Sequence, residues 1–344
     1  MSNNITQKNK QPKVSIITPS LNQGLFIEET ILSVLNQSYS NIEYIIIDGG
    51  STDNTLEIIQ KYDSKINFWV SESDNGQTHA INKGFAKATG DIISWLNSDD
   101  LLDKNGVQNI VNAFSQHKNI DFIFGKRMVL ALNGSIQINE PKDAKTLYLE
   151  YFGSFPYSQP SCYYKRTVLE KVGFLDESFQ YTMDLDFFLR IALHCTMKYI
   201  DKPVALYREQ KDAKTFEYND TWDYERNKVI SKLINSFKYE KGISLLKTFG
   251  VFVKPNSNYS YLPRLSEEEL EKVVAMFFRD SIHFFYNVHW YKKTYFFSKK
   301  VKQHLPQYFS GKMVFYHKRS KWYRYKFIFI MTRPLAVLKN DIIS

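Results

Sequence analysis

The sequence has very few cysteines: Cys162 and Cys195 are the only two among 344 residues. Two cysteines supply neither a disulfide framework nor the ligand spacing of a structural zinc site. The polar start MSNNITQKNKQPK lacks the apolar run of a signal peptide, and no window approaches the roughly 20 apolar residues of a membrane span. We therefore expect a globular protein of a reducing cytoplasm, with no segment that crosses a bilayer.

The glycine-rich phosphate motifs are also missing. None of the 14 glycines forms a G-x-G-x-x-G or a G-x-x-x-x-G-K-[ST] pattern, which excludes a dinucleotide fingerprint and a phosphate-cradling loop. Any phosphate ligand must therefore be held in another way. The usual alternative is a divalent cation that one or two carboxylates bind while it bridges the substrate phosphates.

Acidic residues are nearly absent from the C-terminal end. Residues 281–344 hold 13 Lys and Arg against the single acid Asp341, whereas residues 1–280 hold 32 basic and 35 acidic residues, a net charge of −3. The basic residues alternate with aromatics in HWYKKTYFFSKKVK and FYHKRSKWYRYKFIFI, a composition suited to an anionic membrane surface. An alternative of equal weight is that these residues form a solvated helical face whose aromatics pack on the main domain. Nucleic acid has the right charge, but it is not the partner we expect.

The N-terminal part of the chain alternates between apolar runs and amphipathic helical segments. The strand patterns are VSIIT (14–18), EYIIID (43–48), INFWVS (66–71) and the run through Ile92, Ile93, Trp95 and Leu96. Continuous apolar strands separated by helices are typical of a parallel sheet with both faces covered. The sequence therefore predicts an α/β fold, with a mostly parallel, Rossmann-like sheet flanked by helices.

Polar residues collect where each of these strands ends. In chain order they are Thr18 to Asn22, Asp48 to Asp53, Asp74 to Gln77, and Asn97 to Asp100. Ligands of open α/β sheets bind outside the carboxyl ends of the strands. The adjacent carboxylates of Asp99 and Asp100 repel each other, and their burial is unfavourable unless a cation or hydrogen-bond donors compensate. The sequence therefore predicts a site at this edge.

Two long stretches, VSIITPSLNQGLFIEETILSVLNQSYSNIEYIIIDGGSTDNT and SDNGQTHAINKGFAKATGDIISWLNSDD, closely resemble the family 2 glycosyltransferases of the GT-A fold. The resemblance runs from about Val14 to about Thr215 and keeps the order of the motifs. It implies transfer of a sugar from a nucleoside diphosphate donor, a UDP-sugar above all, with inversion at the anomeric carbon and a bound Mn²⁺ or Mg²⁺. We accordingly expect a flexible N-terminus (1–12), a catalytic domain (13–215) and a helical extension (216–344), basic and aromatic after about 281.

The resemblance assigns nucleotide contacts to the first two strand ends. Thr18, Pro19 and Asn22 lie in the first nucleotide-contacting segment, and Asp48 matches the aspartate that accepts the N3–H of uracil, a task that suits a carboxylate. The alternative for Asp48 is a helix N-cap or a loop acid that stabilises the next turn. Asp53 is assigned to capping.

The metal motif D-x-D of the family corresponds to Asn97, Ser98 and Asp99, so this chain departs at the first position. Asn97 can still hydrogen-bond a ribose hydroxyl, with Ser98 beside it in the nucleotide segment, but Asp99 becomes the principal metal ligand. Asp100 either assists through water or caps a helix that begins near Leu101, and we favour the cap.

Further residues are carried over from the motif YREQKDAKT (207–215) and from the segments around it. Where relatives often have a histidine that completes the metal sphere, this chain has Gln210, a weaker ligand. Arg208 or Lys214 could pair with phosphate oxygens. Gln159, Asp74 and Gln77 are expected to contact the donor or the acceptor.

The catalytic base is expected near the start of a helix in FPYSQPSCYYKRTVLEKVGFLDESFQYTMDLDFFLRIALH (155–194). Asp184 matches the family's base best, although Met183 stands where relatives often have glutamate. Asp186 is the reserve, or it orients an acceptor or an arginine such as Arg190. Acids are also favoured in a first helical turn for purely structural reasons. A carboxylate here would take the acceptor hydroxyl proton, while a metal would act as Lewis acid on the departing diphosphate.

The resemblance implies an acceptor that is a glycan or a lipid-linked glycan of bacterial-type surface polysaccharide synthesis, handled at the inner face of the cytoplasmic membrane. Two other functions stay open. A metal-dependent phosphotransferase would explain Asp99, but not its combination with Asp48, Gln159 and Asp184. A non-catalytic nucleotide-sugar binding protein would keep the nucleotide contacts and lose the base. After about residue 216, helical spacing and a capping box from Ser266 to Glu269 predict helices.

Overall fold

A computed structural model describes residues 11–139, 159–210, 220–259 and 265–325 of the chain. The chain forms two compact units. Of the described residues, 11–139, 159–210, 220–229 and 259 belong to the first unit, and 230–258 and 265–325 to the second. The predicted domain boundary at residue 215 and most of the predicted flexible N-terminus lie outside the described residues. The first unit continues to Val229.

The first unit alternates strands and helices as the apolar runs predict. Its elements in chain order are β1 (Val14–Ser20), α1 (Ile27–Leu35), β2 (Ile42–Asp48), α2 (Thr55–Lys61), β3 (Phe68–Ser71), α3 (Gln77–Lys87), β4 (Ile92–Trp95), β5 (Leu101–Leu102), α4 (Gly106–Gln116), β6 (Phe122–Phe124), β7 (Arg127–Leu130), β8 (Ile136–Asn139), β9 (Cys162–Lys165), α5 (Thr167–Val172), α6 (Met183–His194), β10 (Met197–Tyr199) and β11 (Ala205–Arg208). A further helix, α7 (Asp220–Ser236), begins in this unit and ends in the second.

The central sheet of the first unit has seven strands in the order β10-β6-β9-β4-β1-β2-β3. All neighbouring pairs are parallel except the two that involve β9, so β9 alone runs against the other six strands. The predicted α/β class with a mostly parallel sheet is therefore confirmed. Chain order reverses at β1, because β2 and β3 lie on one side of it and β4 on the other. The crevice outside the carboxyl ends of such strands is where open sheets bind ligands.

The centre of this sheet is β1, and all seven of its residues are buried. Pro19 has no N–H for a ladder, which is tolerated because pairing with β4 has already ended at Ile17. Helix α3 lies very close to this strand. A Cβ added at Gly84 would be 2.2 Å from Cγ2 of Ile17, so a glycine is needed at that contact.

A smaller sheet of four strands, in the order β5-β11-β7-β8, lies beyond the end of β4. Leu101 and Leu102 form β5 by pairing antiparallel with Leu206 and Ala205 of β11. The helix predicted to begin near Leu101 is therefore wrong: the residues after Asp100 enter a strand, and α4 begins only at Gly106. Their backbone hydrogen-bonding groups are taken by a strand distant in sequence.

The described part of the second unit consists of helices, and its elements are the end of α7, α8 (Glu240–Phe249), α9 (Glu267–Asn287), α10 (Tyr291–His304) and α11 (Lys312–Tyr325). The predicted capping box is present at the start of α9, with both reciprocal bonds between Ser266 and Glu269. Several aromatics form the core, as in the stacked rings of Phe249 and Phe278, whose centroids are 3.7 Å apart. None of the described helices is long and apolar enough to cross a membrane.

Candidate active site

The turn that follows β4 carries the two adjacent carboxylates. Asp100 is fully buried, and its oxygens accept from the backbone N–H of Arg208 over 2.9 Å and from Nδ2 of Asn97 over 3.3 Å. Burial, and then the charge of Asp99, raise the pKa of the Asp100 carboxyl well above its usual range. Asp100 therefore has a structural role inside the turn.

The Asp99 side chain has different contacts from that of Asp100. It is half-buried, and its Oδ2 accepts from Nε2 of Gln210 over 2.6 Å, while its backbone carbonyl accepts from Nε of Arg208 over 2.9 Å. Burial raises the pKa of the Asp99 carboxyl. Its Oδ1 accepts no hydrogen bond from any other residue that the structure describes. Asp99 thus offers one open carboxylate oxygen at the sheet edge.

Arg208 connects this turn to α1. Its Nη2 lies 2.5 Å from Oε2 of Glu29, and its guanidinium group lies over the ring of Phe26. The arginine expected to contact donor or acceptor is therefore already paired, and it holds the Asp99–Asp100 turn against β11 and α1. Ser98, in the same turn, is buried, and its backbone carbonyl accepts from Oγ1 of Thr30 over 2.9 Å.

A chain of three side-chain amides crosses the ends of the neighbouring elements. Gln77, at the start of α3, donates to Oδ1 of Asn97 over 2.9 Å. Asn97 donates to Oε1 of Gln159 over 3.3 Å, and Gln159 donates to the backbone carbonyl of Trp95 over 2.7 Å. Three residues predicted from separate motifs are therefore brought together. Their uncharged amides are suited to hydrogen-bond hydroxyl groups.

The carboxyl end of β2 contains an enclosed acid. Asp48 is fully buried, and its carboxylate accepts from the backbone N–H of Gly50 and Ser51 and from the hydroxyls of Ser51 and Ser71, over 2.5 to 3.1 Å. Four donors from the protein surround this group. The loop after β2 is thereby fixed on the end of β3.

The loop after β1 is bonded to the loop after β2. Asn22 is exposed, with a left-handed φ of 52°, and its Oδ1 accepts from the backbone N–H of Thr52 over 2.8 Å. Thr18 and Pro19 are buried, and Oγ1 of Thr18 accepts from the Tyr44 hydroxyl over 3.2 Å. Asp53 accepts from two backbone N–H groups, those of Gly24 and Thr55, in keeping with the structural role assigned to it.

Besides Asp99, the Ser20 hydroxyl and the Asp74 carboxylate at this edge have bonding capacity left within the described part of the chain. Ser20 is only 5% exposed, and its buried hydroxyl has no partner among the described residues. The Asp74 carboxylate, which follows β3, is half-buried, and its Oδ1 accepts from the backbone N–H of Gly76 over 2.7 Å. Its other oxygen, Oδ2, accepts from no other described residue.

Asp184 lies in the first turn of α6. Its Oδ1 accepts from the backbone N–H of Leu185 over 2.8 Å. Burial raises the pKa of the Asp184 carboxyl to about 6, and the charge of Glu225 adds to this shift. Burial, and then the charge of Asp184, raise the pKa of the Cys162 thiol well above its usual range. Because Cys162 follows Gln159 by three residues, Asp184 lies beside the segment that reaches Asn97.

The loop before α6 is held by an acid that sequence reasoning missed. Glu225, buried in α7, accepts from the backbone N–H groups of Gln180, Tyr181 and Thr182 over 2.8 to 3.0 Å. The helical spacing around Glu225 predicted a helix and gave no sign of this contact. Glu225 thus positions the loop that leads into the helical turn of Asp184.

Asp186, the second predicted catalytic acid, is fully buried, and both of its oxygens are bonded. Oδ2 accepts from Nε of Arg190 over 2.9 Å, and Oδ1 accepts from the Tyr259 hydroxyl over 2.7 Å. Pairing with Arg190 is one of the roles expected from the sequence. Tyr259 is a partner that nothing in the sequence indicated.

The side chains at the end of β4 can supply only part of the coordination of a divalent cation. Among the described residues, no group of three or more His, Cys, Asp or Glu side chains could hold a metal ion. Asp100 is enclosed, so the open ligands are the Asp99 carboxylate and the amide of Gln210. Such a set suits an ion that takes most of its ligands from a diphosphate and water.

Comparison with known proteins agrees with this geometry. The family model described as glycosyl transferase family 2 matches residues 15–173. A glycosyltransferase of Rickettsia typhi, described as uncharacterized, is 31% identical over 266 residues, which are 73% of this chain and 82% of its own. The putative teichuronic acid biosynthesis glycosyltransferase TuaG of Bacillus subtilis is 36% identical over 130 residues, 37% of this chain and 51% of its own.

Solved structures share the fold at low sequence identity. S. aureus TarS 1-349 in complex with UDP-GlcNAc has a TM-score of 0.59 and 17% identity, covering 88% of this chain and 82% of its own. The mannosyltransferase PcManGT of Pyrobaculum calidifontis, in complex with GDP-Man and Mn²⁺, has a TM-score of 0.54 and 14% identity, covering 91% and 85%. The chain belongs to glycosyltransferase family 2, and the predicted GT-A fold is confirmed.

Replacing the enclosed acid of β2 is expected to destabilise the protein. Asp48→Asn puts an amide nitrogen among four donors, and hydrogen bonds to a charged group contribute about 1.5–3 kcal/mol each, so we expect the free energy of unfolding to fall by about 3 kcal/mol. Denaturant unfolding measures this change. The control Glu57→Gln, at an exposed position of α2, should change it by less than about 0.5 kcal/mol. Equal stability of Asp48→Asn and the wild type would contradict the bonding described for Asp48.

Proposed function

We propose that this glycosyltransferase moves a sugar, with inversion, from a nucleoside diphosphate donor to a glycan or lipid-linked glycan of bacterial cell-surface polysaccharide. The observation that carries the proposal is the arrangement at the carboxyl edge of the sheet. The open carboxylate of Asp99, the amide chain from Gln77 to Gln159, and a base whose pKa is about 6, Asp184, follow one another along the ends of β4 and β9.

The donor class is supported by the solved relatives. TarS is described with UDP and with UDP-GlcNAc, and the mannosyltransferase PcManGT with GDP-Man, so nucleoside diphosphate sugars are bound on this fold. The name of the Bacillus subtilis relative supports an acceptor in surface polysaccharide synthesis. We take a UDP-sugar as the first donor to test.

The donor would lie across the ends of β1, β2 and β4, where the chain order reverses. Its nucleoside would meet the loops after β1 and β2, which Asn22 and Ser51 join. Its ribose and sugar hydroxyls would meet the amide chain, because Asn97 and Gln159 present both donors and acceptors there. The diphosphate would lie next to Asp99.

Asp184 would act as the general base. The acceptor hydroxyl gives its proton to Oδ2 of Asp184 while its oxygen forms a bond to C1 of the sugar, and the bond from C1 to the diphosphate oxygen breaks. A carboxyl with a pKa of about 6 is ionised at neutral pH and is still a stronger base than an ordinary aspartate. Glu225 and the bonded Asp186 would be positioning residues, since they fix the loop and the first helical turn around Asp184.

A Mn²⁺ or Mg²⁺ ion would be held by Asp99, with Gln210 beside it as a neutral ligand or as the donor that orients the carboxylate. When bound, such an ion stabilises the negative charge of a departing diphosphate. The residues around it do the orienting: Arg208 holds the backbone of the turn, and Asp100 bonds to the chain of β11.

A membrane surface is the partner we propose for the second unit. Lys292, Phe296 and Lys299 follow each other at spacings of four and three on α10, so they share one face of the helix. Both lysines are exposed, and the phenylalanine ring is 45% exposed. An aromatic ring between lysines is typical of helices that lie in an anionic interface. We accordingly place the enzyme at the inner face of the cytoplasmic membrane, where lipid-linked acceptors are handled.

The catalytic assignment is tested by Asp184→Asn. Transfer from a panel of nucleotide sugars should fall by about 10²–10⁴-fold, because the acceptor proton loses its base, whereas binding of the same donor should be unchanged. In the wild type the rate should rise about tenfold per pH unit up to about pH 6 and then level, since only the carboxylate is active. Glu170→Gln, an exposed acid on α5, serves as the control.

Three outcomes would count against this assignment. Full transfer activity of Asp184→Asn would remove the proposed base. If phosphoryl transfer were found instead of glycosyl transfer, the metal-dependent phosphotransferase would replace the proposal. If donor bound without any transfer in either protein, the non-catalytic binding function would replace it.

The metal assignment is tested by calorimetric titration of UDP with and without Mn²⁺. In the wild type, Mn²⁺ should raise the affinity for UDP at least tenfold, because the ion joins Asp99 to the diphosphate. Asp99→Asn should lose most of this enhancement, while Asp103→Asn, at the first acid after the Asp99–Asp100 pair, should keep it. An enhancement of the same size in Asp99→Asn would contradict the role of Asp99.

The membrane assignment is tested by sedimentation with lipid vesicles. Lys292→Gln/Lys299→Gln should bind vesicles containing anionic lipid at least about tenfold more weakly, because each lysine near such a surface contributes about 1 kcal/mol. Hydrolysis of the donor should not change. Lys104→Gln/Lys118→Gln, at two exposed positions of the first unit, is the charge-matched control. Unchanged vesicle binding by the α10 variant would refute the assignment.

A further inference from the structure

Asp48, the acid at the end of β2 that the family resemblance assigns to the nucleobase, is already bonded within the protein. Asp48 is fully buried, and its two oxygens already accept four hydrogen bonds from the loop after β2 and from Ser71. A base that used Asp48 would have to displace some of these donors. The energetic cost of leaving buried N–H groups without partners opposes such an exchange.

The residue after Asp48 has no side chain, and another carboxylate fills the space beside it. A Cβ added at Gly49 would lie 2.9 Å from Oδ2 of Asp74, 3.1 Å from its Cγ and 3.2 Å from its Oδ1. The neighbouring Gly50 has a φ of +85°, and a Cβ there would meet the backbone N of Ser73 at 3.3 Å. The two glycines let the loop after β3 fold over the end of β2, which places the Asp74 carboxylate where a side chain of residue 49 would be.

Only one oxygen of the Asp74 carboxylate accepts a hydrogen bond from another described residue. Oδ1 accepts from the backbone N–H of Gly76 over 2.7 Å, which fixes the orientation of the group. Oδ2, the oxygen nearest to Gly49, accepts from no other residue that the structure describes, and the group is half-buried. The Ser20 hydroxyl is without a described partner as well, and Ser20 is paired in register with Asp48. A ligand group that donates a hydrogen bond would satisfy Oδ2.

We propose that Asp74, against the bare backbone of Gly49, is the residue that recognises the nucleobase of the donor, by accepting the imide N–H of uracil or thymine. A carboxylate oxygen accepts and does not donate, so it bonds an imide N3–H and repels the N3 acceptor of cytosine. This assignment rests on the proposed function, because it requires a nucleoside diphosphate donor. It makes Asp74 the specificity-determining residue and leaves Asp48 a support of the loop.

The test compares UDP, UDP methylated at N3 and CDP by calorimetric titration of the full chain. In the wild type, N3-methylation should weaken binding about ten- to a hundredfold, as expected for loss of a hydrogen bond to a charged group, and CDP should bind as weakly. Asp74→Ala should bind UDP and N3-methyl-UDP with nearly equal, weak affinity. Glu72→Ala removes a nearby exposed acid without touching Gly49, and it should keep the wild-type discrimination.

Two further variants sharpen the result. In Asp74→Asn the oxygen stays on the Gly76 N–H, so the amide nitrogen faces the base, and the preference should shift from UDP toward CDP by at least tenfold. Gly49→Asp in the Asp74→Ala background should restore discrimination against N3-methyl-UDP, because its carboxylate occupies the vacated space. Thermal unfolding shows whether each variant is folded. If Asp74→Ala does not fold, the nearly isosteric Asp74→Asn takes its place in the comparison.

The outcomes separate this assignment from the proposed function. Equal methylation penalties in the wild type and in folded Asp74 variants would overturn the role of Asp74 while leaving a nucleotide-dependent transferase in place. A wild-type protein that binds none of the three nucleotides, with or without Mn²⁺, would overturn both. Loss of the penalty in Asp74→Ala, together with its return in the Gly49→Asp background, would establish the assignment.

Discussion

The active site depends on how the chain compensates two adjacent carboxylates at the end of a buried strand. Asp99 and Asp100 follow β4, and their charges would oppose folding if they were left alone. Strand β11 supplies the compensation: the backbone and guanidinium of Arg208 bond to Asp100 and to the carbonyl of Asp99, and Gln210 bonds to the Asp99 carboxylate. Because this turn is fixed, Asn97 can bond both to Gln77 of α3 and to Gln159 before β9. The geometry of the edge therefore depends on the contact between the Asp99–Asp100 turn and the segment of Arg208 and Gln210.

The acids at this edge divide into two kinds, and the division recurs at three places. Enclosed acids have their oxygens bonded by the protein and hold a loop or a helix start, whereas open acids keep an oxygen free of other described residues. The enclosed acids are Asp48, Asp100 and Asp186, and the open ones are Asp74, Asp99 and Asp184. The open acids can act on a ligand because the enclosed ones fix the backbone that carries them, and second-layer support of this kind is what keeps a site in a productive geometry.

The N-terminal part of the first unit, through β4, could be predicted from the sequence because its signals are local. Apolar runs separated by helical spacing predicted β1 to β4 and the parallel sheet, and the polar residues after each run predicted the edge that carries the site. The capping box at Ser266 was predicted for the same reason, since both of its partners lie within four residues. The prediction near Leu101 was wrong because a single acid after a strand is equally consistent with a helix cap and with a turn into another strand. Pairing with β11 decided between the two.

By itself, the sequence determined which residues can carry the chemistry and which family the chain resembles, since the motifs are short and continuous and each strand's hydrophobic pattern reports its own burial. Tertiary structure alone decided the role of each acid. Whether a carboxylate is enclosed or open depends on donors that arrive from elsewhere in the chain, such as Tyr259 at Asp186 and Arg208 at Asp100, and on space left by a residue without a side chain, as at Gly49 beside Asp74. Hydrogen bonding and burial are properties of the folded neighbourhood, and no local pattern of residues encodes them.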